Sequence, residues 1–301
     1  MTYKFALIGL GTIAKRYYLG LKESPVLDLV GVCDKSEESK SRALYSAYPY
    51  FKSYRDMIAN TKPDFVLDAT PPATHFNIGK DVLNLGCNLL IEKPATTSHQ
   101  DFLELINIAK EKNLLIDIIF HWNYGSEVLY LQDKIKELPQ IERIKTNIND
   151  PYYDNNRIKP DKVGLEGTWL DSGVNALSMI STLVELKNVK VLDKRYLIDP
   201  LCNLPYYSDH RFNINGVDVE IEVNWDTPLN KKITYIWFKN KDTMIIAHTE
   251  QKVYYNSQLI YDGSQLERLT THYKNFFALF NKDKINLDKT VKIHKLLFSL
   301  K

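Results

Sequence analysis

Two rhythms of apolar and polar residues divide the chain. Up to about residue 120, short apolar runs alternate with stretches whose apolar residues recur at helical spacing. Phe5 to Ile8, Leu27 to Cys33, Phe65 to Leu67, Asn88 to Ile91 and Leu114 to Phe120 read as buried strands. Residues 13–22, 37–47, 74–84 and 98–112 read as the helices between them. This βαβα alternation predicts a parallel sheet with helices on both faces, a doubly wound α/β domain. Thr74 and Ser98 are expected to cap helices, and Gly86 to stop one.

After residue 122 the rhythm changes. Helices are expected over 126–137 and 172–186, a strand over 141–148, and a polar loop rich in Asp, Asn, Tyr and Pro over 149–166. From 189 to 262 the chain reads as consecutive strands, with Asn215-Gly216 and Asp262-Gly263 as turn dipeptides. Val217 to Val223 alternates apolar with polar residues, as a sheet with one wet face does. Residues 266–300 return to helix. The expected organisation is a doubly wound domain over 1–121, followed by an α+β domain with a mostly antiparallel open sheet over 122–301.

Composition agrees with this picture and narrows it. At roughly 150 residues per domain, 301 residues make about two domains. With 44% apolar and 25% charged residues the bulk of the chain is expected to fold. Lys+Arg 39 against Asp+Glu 37 leaves +2, with no basic surface for nucleic acid. Three cysteines, Cys33, Cys87 and Cys202, without CxxC spacing point away from a disulfide framework or a metal site and toward a reducing cytoplasm. No run reaches the ~18 apolar residues of a membrane span. The opening run, Phe5 to Ala14, has no basic leader beyond Lys4, and Lys15-Arg16 follow where a cleavage site should lie. It reads as a strand and a turn.

That turn carries the first chemical signal. Gly9-Leu10-Gly11-Thr12-Ile13-Ala14 matches G-x-G-x-x-G/A. Gly9 permits a tight turn, Gly11 lets backbone approach a pyrophosphate, and Ala14 lets the helix pack on the strand. Asp34 ends the second strand, 20 residues after Ala14. There a carboxylate accepts hydrogen bonds from ribose hydroxyls and repels a 2′-phosphate, favouring NAD, whereas Lys35 leaves NADP open. Asp34 as a cap on the next helix is the competing reading.

Glu92-Lys93-Pro94 ends a later strand, where ligands of open parallel sheets bind. Lys93 is placed to hold a substrate hydroxyl; a solvated lysine paired with Glu92 is the alternative. Asp68 to His75, with Thr70 and Pro71, ends the preceding strand as a loop suited to cover a cofactor, and His75 serves there either chemically or structurally. In the second half, Asp171 and Asn175 stand four apart and share a helix face. A carboxylate and an amide so placed grip neighbouring hydroxyls, and the carboxylate takes a proton as hydride leaves the same carbon. Asp171 is equally suited to be an N-cap.

Taken in order, these segments resemble the glucose–fructose oxidoreductase and inositol dehydrogenase family (Gfo/Idh/MocA) along most of the chain. The resemblance implies a Rossmann domain binding NAD or NADP through Gly9, Gly11, Thr12, Ile13, Ala14, Asp34, Lys35, Thr70, Pro71, His75, Glu92 and Lys93. It implies Lys93 and Asp171 as catalytic residues. Asp171-Ser172-Gly173-Val174-Asn175 carries Asn where the family has an acid–base His. Asn175-Ala176-Leu177-Ser178 and Phe120-His121-Trp122-Asn123-Tyr124 look like the aldose 1-dehydrogenase branch, which implies sugar contacts from His121 and from Trp225 and oxidation at C1 to a lactone; a packing residue at the domain junction and a core aromatic are the competing readings of these two. Oxidation of an inositol, an amino sugar or a sugar nucleotide stays open, as does a bilin or diene reductase. So does a regulator that binds NAD without turnover. The family also implies a dimer or tetramer formed through the open sheet face, and the tail is short enough that no domain-swapped arm is expected.

Overall fold

The computed structural model describes residues 2–39, 42–265 and 267–300. It forms two compact units, the first of Met1–Phe120 with Leu269–Thr290 and the second of His121–Arg268 with Val291–Lys301.

The first unit is a six-stranded sheet, β1 (Tyr3–Ile8), β2 (Leu27–Cys33), β3 (Tyr50–Phe51), β4 (Phe65–Asp68), β5 (Asn88–Glu92) and β6 (Ile116–Ile119), in the order β3-β2-β1-β4-β5-β6. All its pairings are parallel. Phe5 to Ile8 are at most 3% exposed, so side chains pointing to both faces are covered. That is why these strands read as unbroken apolar runs. The helices are α1 (Ala14–Lys22), α2 (Tyr54–Thr61), α3 (Pro72–Asn84) and α4 (His99–Glu111).

Ser98 caps α4 by accepting from the Asp101 amide, and Gly86 follows α3 at φ +85. The helix expected over 37–47 is instead a 3₁₀ turn, Arg42–Tyr45, with residues 40 and 41 outside the described set. Serines compete for the backbone here, since Ser36 Oγ accepts from the Glu38 amide. α2 was not expected, although Ser53 caps it by accepting from the Asp56 amide. Thr74 is not a cap. α3 starts two residues earlier, and Thr74 Oγ1 donates to the Pro71 carbonyl at 2.8 Å.

The second unit holds α5 (Ser126–Lys134), β7 (Ile141–Asn149), a short hairpin of β8 (Tyr153–Asp154) and β9 (Arg157–Ile158), and α6 (Val174–Leu183). After α6 come β10 (Lys190–Ile198), β11 (Pro205–Ile214), β12 (Val217–Asn224), β13 (Lys231–Phe238), β14 (Thr243–Ala247), β15 (Lys252–Tyr255) and β16 (Gln258–Asp262). Eight strands form one sheet, β10-β11-β12-β7-β13-β14-β15-β16, antiparallel except where β12 pairs with β7. Asn215 and Gly216 turn β11 into β12 with φ of 52 and 86, as a two-residue hairpin requires. Val217, Val219, Ile221 and Val223 point inward, while Glu220 and Glu222 face out against Arg143 and Lys145. The polar loop expected over 149–166 contains the β8–β9 hairpin and a 3₁₀ turn, Pro160–Leu165.

The tail forms α7 (Arg268–Ala278) and α8 (Leu287–Ser299). The change of rhythm near residue 121 assigns the whole tail to the second domain, but residues 269–290 belong to the first unit. There Tyr273 packs on Tyr17 at 4.8 Å, and Phe277 meets Phe5 edge-on. Among the described residues, no helix is long and apolar enough to cross a membrane.

In the second unit Trp169 stacks on His210 at 3.8 Å and donates from Nε1 to the Leu297 carbonyl. Burial pushes the His210 imidazole down from 6.5 to about 4. Above this window the ring is neutral in folded and unfolded chains alike. Within it only the unfolded chain takes up the proton, so stability falls as pH falls, by up to about 3 kcal/mol. His210→Phe keeps a stacked ring and removes the titration. Thermal melts across this pH range are expected to fall less steeply for that variant than for the wild type.

Candidate active site

In the first unit the glycine turn is held from both ends. The Gly9 amide donates to the Cys33 carbonyl at 2.8 Å, and the Leu10 amide donates to Asp34 Oδ2 at 2.7 Å. Asp34 Oδ1 accepts from the Ser36 amide at 2.8 Å. Asp34 thus fixes the turn rather than capping a helix, and it stays half-buried with lone pairs to spare. A Cβ on Gly11 would meet nothing within 4 Å, so the space above the turn is open. Thr12 is exposed, Ile13 half-buried, and α1 begins at Ala14 with no side-chain cap. A helix start in this state is an anion site, and the space fits a pyrophosphate. Beyond β2 lies a cavity of about 460 Å³ lined by Val32, Glu37, Glu38, Tyr45, Tyr48 and Tyr50.

Two further loops are tied to each other. Asp68 Oδ1 accepts from the Thr70 amide at 3.0 Å and from Thr70 Oγ1 at 2.6 Å. Burial pushes the Asp68 carboxyl above its usual range. His75 is wholly buried, with Nε2 2.7 Å from the Thr70 carbonyl and Nδ1 3.0 Å from the Pro94 carbonyl. Both ring nitrogens are therefore spent on joining loops, and His75 has a structural place rather than one facing a ligand. Pro71 is exposed beside it.

Glu92 points inward. Its Oε1 accepts from Tyr17 at 2.8 Å and from Tyr273, and its Oε2 accepts from the Lys93 backbone amide at 2.7 Å. Burial pushes both phenols well above their ordinary value, which keeps them neutral donors. These bonds anchor the base of Lys93, which is half-buried and precedes Pro94 through a cis peptide.

In the second unit Asp171 lies in a π-helical turn, Trp169–Gly173, that leads into α6. Such turns recur at functional sites. Asp171 does not cap α6. Ser172 Oγ lies 3.0 Å from Asp171 Oδ2 and 3.4 Å from Asp150 Oδ2, and Asp150 Oδ1 pairs with the Lys232 ammonium at 2.5 Å. Lys232 also donates to Asn230 Oδ1. Burial lowers the Lys232 pKa, and Asp150 opposes that. Asn175 Nδ2 donates to the Asp171 carbonyl at 3.3 Å, while its Oδ1 is buried and, among the described residues, without a partner.

The structure corrects one sugar contact. Trp225 is 0% exposed, edge-on to Tyr152 at 5.4 Å, so its ring offers no open face for stacking. His121 opens a 3₁₀ turn, His121–Tyr124, and is buried. Asp150 and Lys232 were missed. One sign was present, because Lys232 occupies the inward phase of β13 with Thr234, Ile236 and Phe238.

Residues 3–120 match a protein family described as an oxidoreductase family with an NAD-binding Rossmann fold. The D-glucoside 3-dehydrogenase of Escherichia coli is 27% identical over 139 residues, 44% of this chain and 38% of that protein. The chain spans between 25% and 48% of the length of five curated relatives. Among solved structures, GenD2 from gentamicin A biosynthesis, in complex with NAD, has a TM-score of 0.79 at 16% identity, covering 99% of this chain and 93% of that one. The UDP-N-acetylglucosamine 3-dehydrogenase of Acidithiobacillus ferrooxidans has a TM-score of 0.78 at 15% identity, covering 100% and 97%. These likenesses show the shared fold.

Proposed function

We propose that the chain is an oxidoreductase of the Gfo/Idh/MocA kind, a reading that the family match over residues 3–120 supports, and that it oxidises a sugar or polyol carbinol with NAD. The observation that carries the reading is the hydrogen-bonded row Asp171–Ser172–Asp150–Lys232, a proton acceptor with neighbours that can share its charge.

A bound nicotinamide supplies the hydride acceptor. Asp171 takes the proton of the reacting hydroxyl, and Ser172 steadies the carboxylate. Lys93, its backbone fixed by Glu92, is the residue of the first unit that the family resemblance assigns to holding a substrate hydroxyl. Asn175, standing where relatives carry His, holds a neighbouring hydroxyl through Oδ1 rather than moving a proton. Gly9, Gly11 and the start of α1 receive the pyrophosphate, Thr70 and Pro71 border the cofactor, and Asp34 binds the ribose. Glu37 and Glu38 beside the cavity beyond β2 add negative charge that disfavours a 2′-phosphate. NAD is therefore preferred to NADP.

Two carbons compete as the site of oxidation. Asn175-Ala176-Leu177-Ser178 supports C1 of an aldopyranose, giving a lactone. The names of two relatives, both 3-dehydrogenases, support a ring ketone at C3. Sugars deuterated at C1 or at C3 decide between them, by which label appears on the reduced cofactor in NMR. Transfer of neither label, in protein that binds NAD, would remove both readings.

A further inference from the structure

The row that starts at Asp171 has a direction. Ser172 is buried, and its hydroxyl lies 3.0 Å from Asp171 Oδ2 and 3.4 Å from Asp150 Oδ2. A hydroxyl carries one hydrogen and two lone pairs, so it donates to one of these carboxylates only. With both ionised, Ser172 donates across the shorter gap to Asp171, and Asp150 is left facing its lone pairs. One added proton removes that conflict. The protonated carboxyl then donates to Ser172 Oγ, and Ser172 donates to the other carboxylate.

Asp150 continues the row outward. Its Oδ1 lies 2.5 Å from the Lys232 ammonium, and the Lys232 and Asp150 side chains are 6% and 7% exposed. Lys232 in turn donates to Asn230 Oδ1, and Asn230 is exposed. The row therefore runs from the half-buried Asp171, through three buried side chains, to the surface of the second unit. Asn175 bonds to the Asp171 carbonyl through an amide, which cannot carry a proton away.

We propose that Ser172 and Asp150 are the exit for the proton that Asp171 takes from the reacting hydroxyl. The proposal rests on the reading of Asp171 as proton acceptor, and both residues act through Asp171 without touching substrate. The hydride of the reacting carbon goes to bound nicotinamide, and the hydroxyl proton goes to Asp171. That proton moves on to Ser172 Oγ while the Ser172 hydrogen moves to Asp150 Oδ2, so Asp171 is again a carboxylate. Asp150 then passes a proton to Lys232 as Lys232 gives one to water beside Asn230. One proton enters the row and one leaves it. Burial already loosens the hold of Lys232 on its protons, which suits the last step.

The test compares the wild type with Ser172→Ala, which deletes the hydroxyl and little else. In the first arm, NAD-bound protein carrying carbon-13-labelled aspartate is acidified and its carboxyl carbons are followed by NMR. Asp171 and Asp150 are expected to shift with one shared midpoint in the wild type, as a pair sharing a proton does, and with separate midpoints in Ser172→Ala. In the second arm, NAD reduction is followed with glucose, galactose, their uronates and myo-inositol. Ser172→Ala should lower kcat about 10²-fold with KM and NAD affinity kept. Imidazole buffer, a small base that can take the stranded proton, should restore part of the rate. Separate midpoints in the wild type overturn the proposal. So does a slow Ser172→Ala that imidazole does not help, because a hydroxyl that only orients Asp171 would behave in that way. Wild-type turnover by Ser172→Ala overturns the exit and leaves the oxidoreductase reading standing. A shared midpoint that depends on Ser172, in protein that reduces NAD with none of the probes, supports the shared proton and counts against the oxidoreductase reading alone.

Discussion

Lys93→Met is expected to slow NAD reduction by the preferred sugar ~10²–10⁴-fold, the usual worth of a positioned proton-handling group. The substitution keeps the length and apolar stem of the side chain and deletes the ammonium. The loop should hold its shape, because Glu92 reaches the Lys93 amide and His75 reaches the Pro94 carbonyl, and neither bond involves the ammonium. Melting temperature and NAD affinity are therefore expected to stay near the wild-type values while kcat falls. Asp171→Ala should act in the same direction through loss of the proton acceptor, with Ser172 retaining Asp150 as a partner. If both variants turned over as fast as the wild type, the roles assigned to them would be wrong.

Gly9→Ala should damage the fold itself. Gly9 has φ +92, and a Cβ there would stand 2.8 Å from the Ala69 carbonyl carbon and oxygen and 2.9 Å from the Thr70 nitrogen. All three are backbone atoms of the loop after β4 and cannot swing aside. Strain and overpacking together cost roughly 2–5 kcal/mol, a large share of an ordinary domain's stability. Gly11→Ala is the contrasting variant. Its Cβ would meet nothing within 4 Å, so its melting temperature should match the wild type. That methyl would fill the space assigned to the pyrophosphate, and NAD affinity should drop. Thermal melts and NAD calorimetry on the pair separate the two effects. A Gly11→Ala protein that binds NAD normally would show that the turn is not the phosphate cradle.

The first unit was legible because buried parallel strands are unbroken apolar runs. Leu27–Cys33 is found with the expected bounds. Local turn chemistry was equally readable at Ser98, Gly86 and Asn215-Gly216. The missing elements had weak apolar periodicity. Residues 37–47 crowd serines and charges around few apolar positions, and α2 is eight residues long, with only Met57 and Ile58 buried. The return of residues 269–290 to the first unit depends on Tyr273 and Phe277 meeting Tyr17 and Phe5, contacts that no local pattern encodes.

The candidate site divides along the same line. Gly9, Gly11, Asp34, Lys93, Asp171 and Asn175 stand in short motifs and could be picked out by eye. Asp150 and Lys232 lie 82 residues apart and meet because β13 pairs beside β7, with Lys232 opposite Ile148. The two readings of Trp225, a sugar-stacking ring and a core aromatic, stayed open in the sequence because an aromatic residue on a sheet strand looks the same there whether its ring is open or enclosed; its ring is enclosed.

The central claim is hydride transfer from a sugar or polyol to NAD. The most direct measurement follows the absorbance of reduced nicotinamide in purified protein given NAD or NADP. The substrates are neutral aldoses, uronates, sugar phosphates, inositols and nucleotide sugars. Reduction by at least one of them is expected, faster with NAD than with NADP, and lost in Lys93→Met. Protein that binds NAD in calorimetry yet reduces it with none of these substrates would contradict the account.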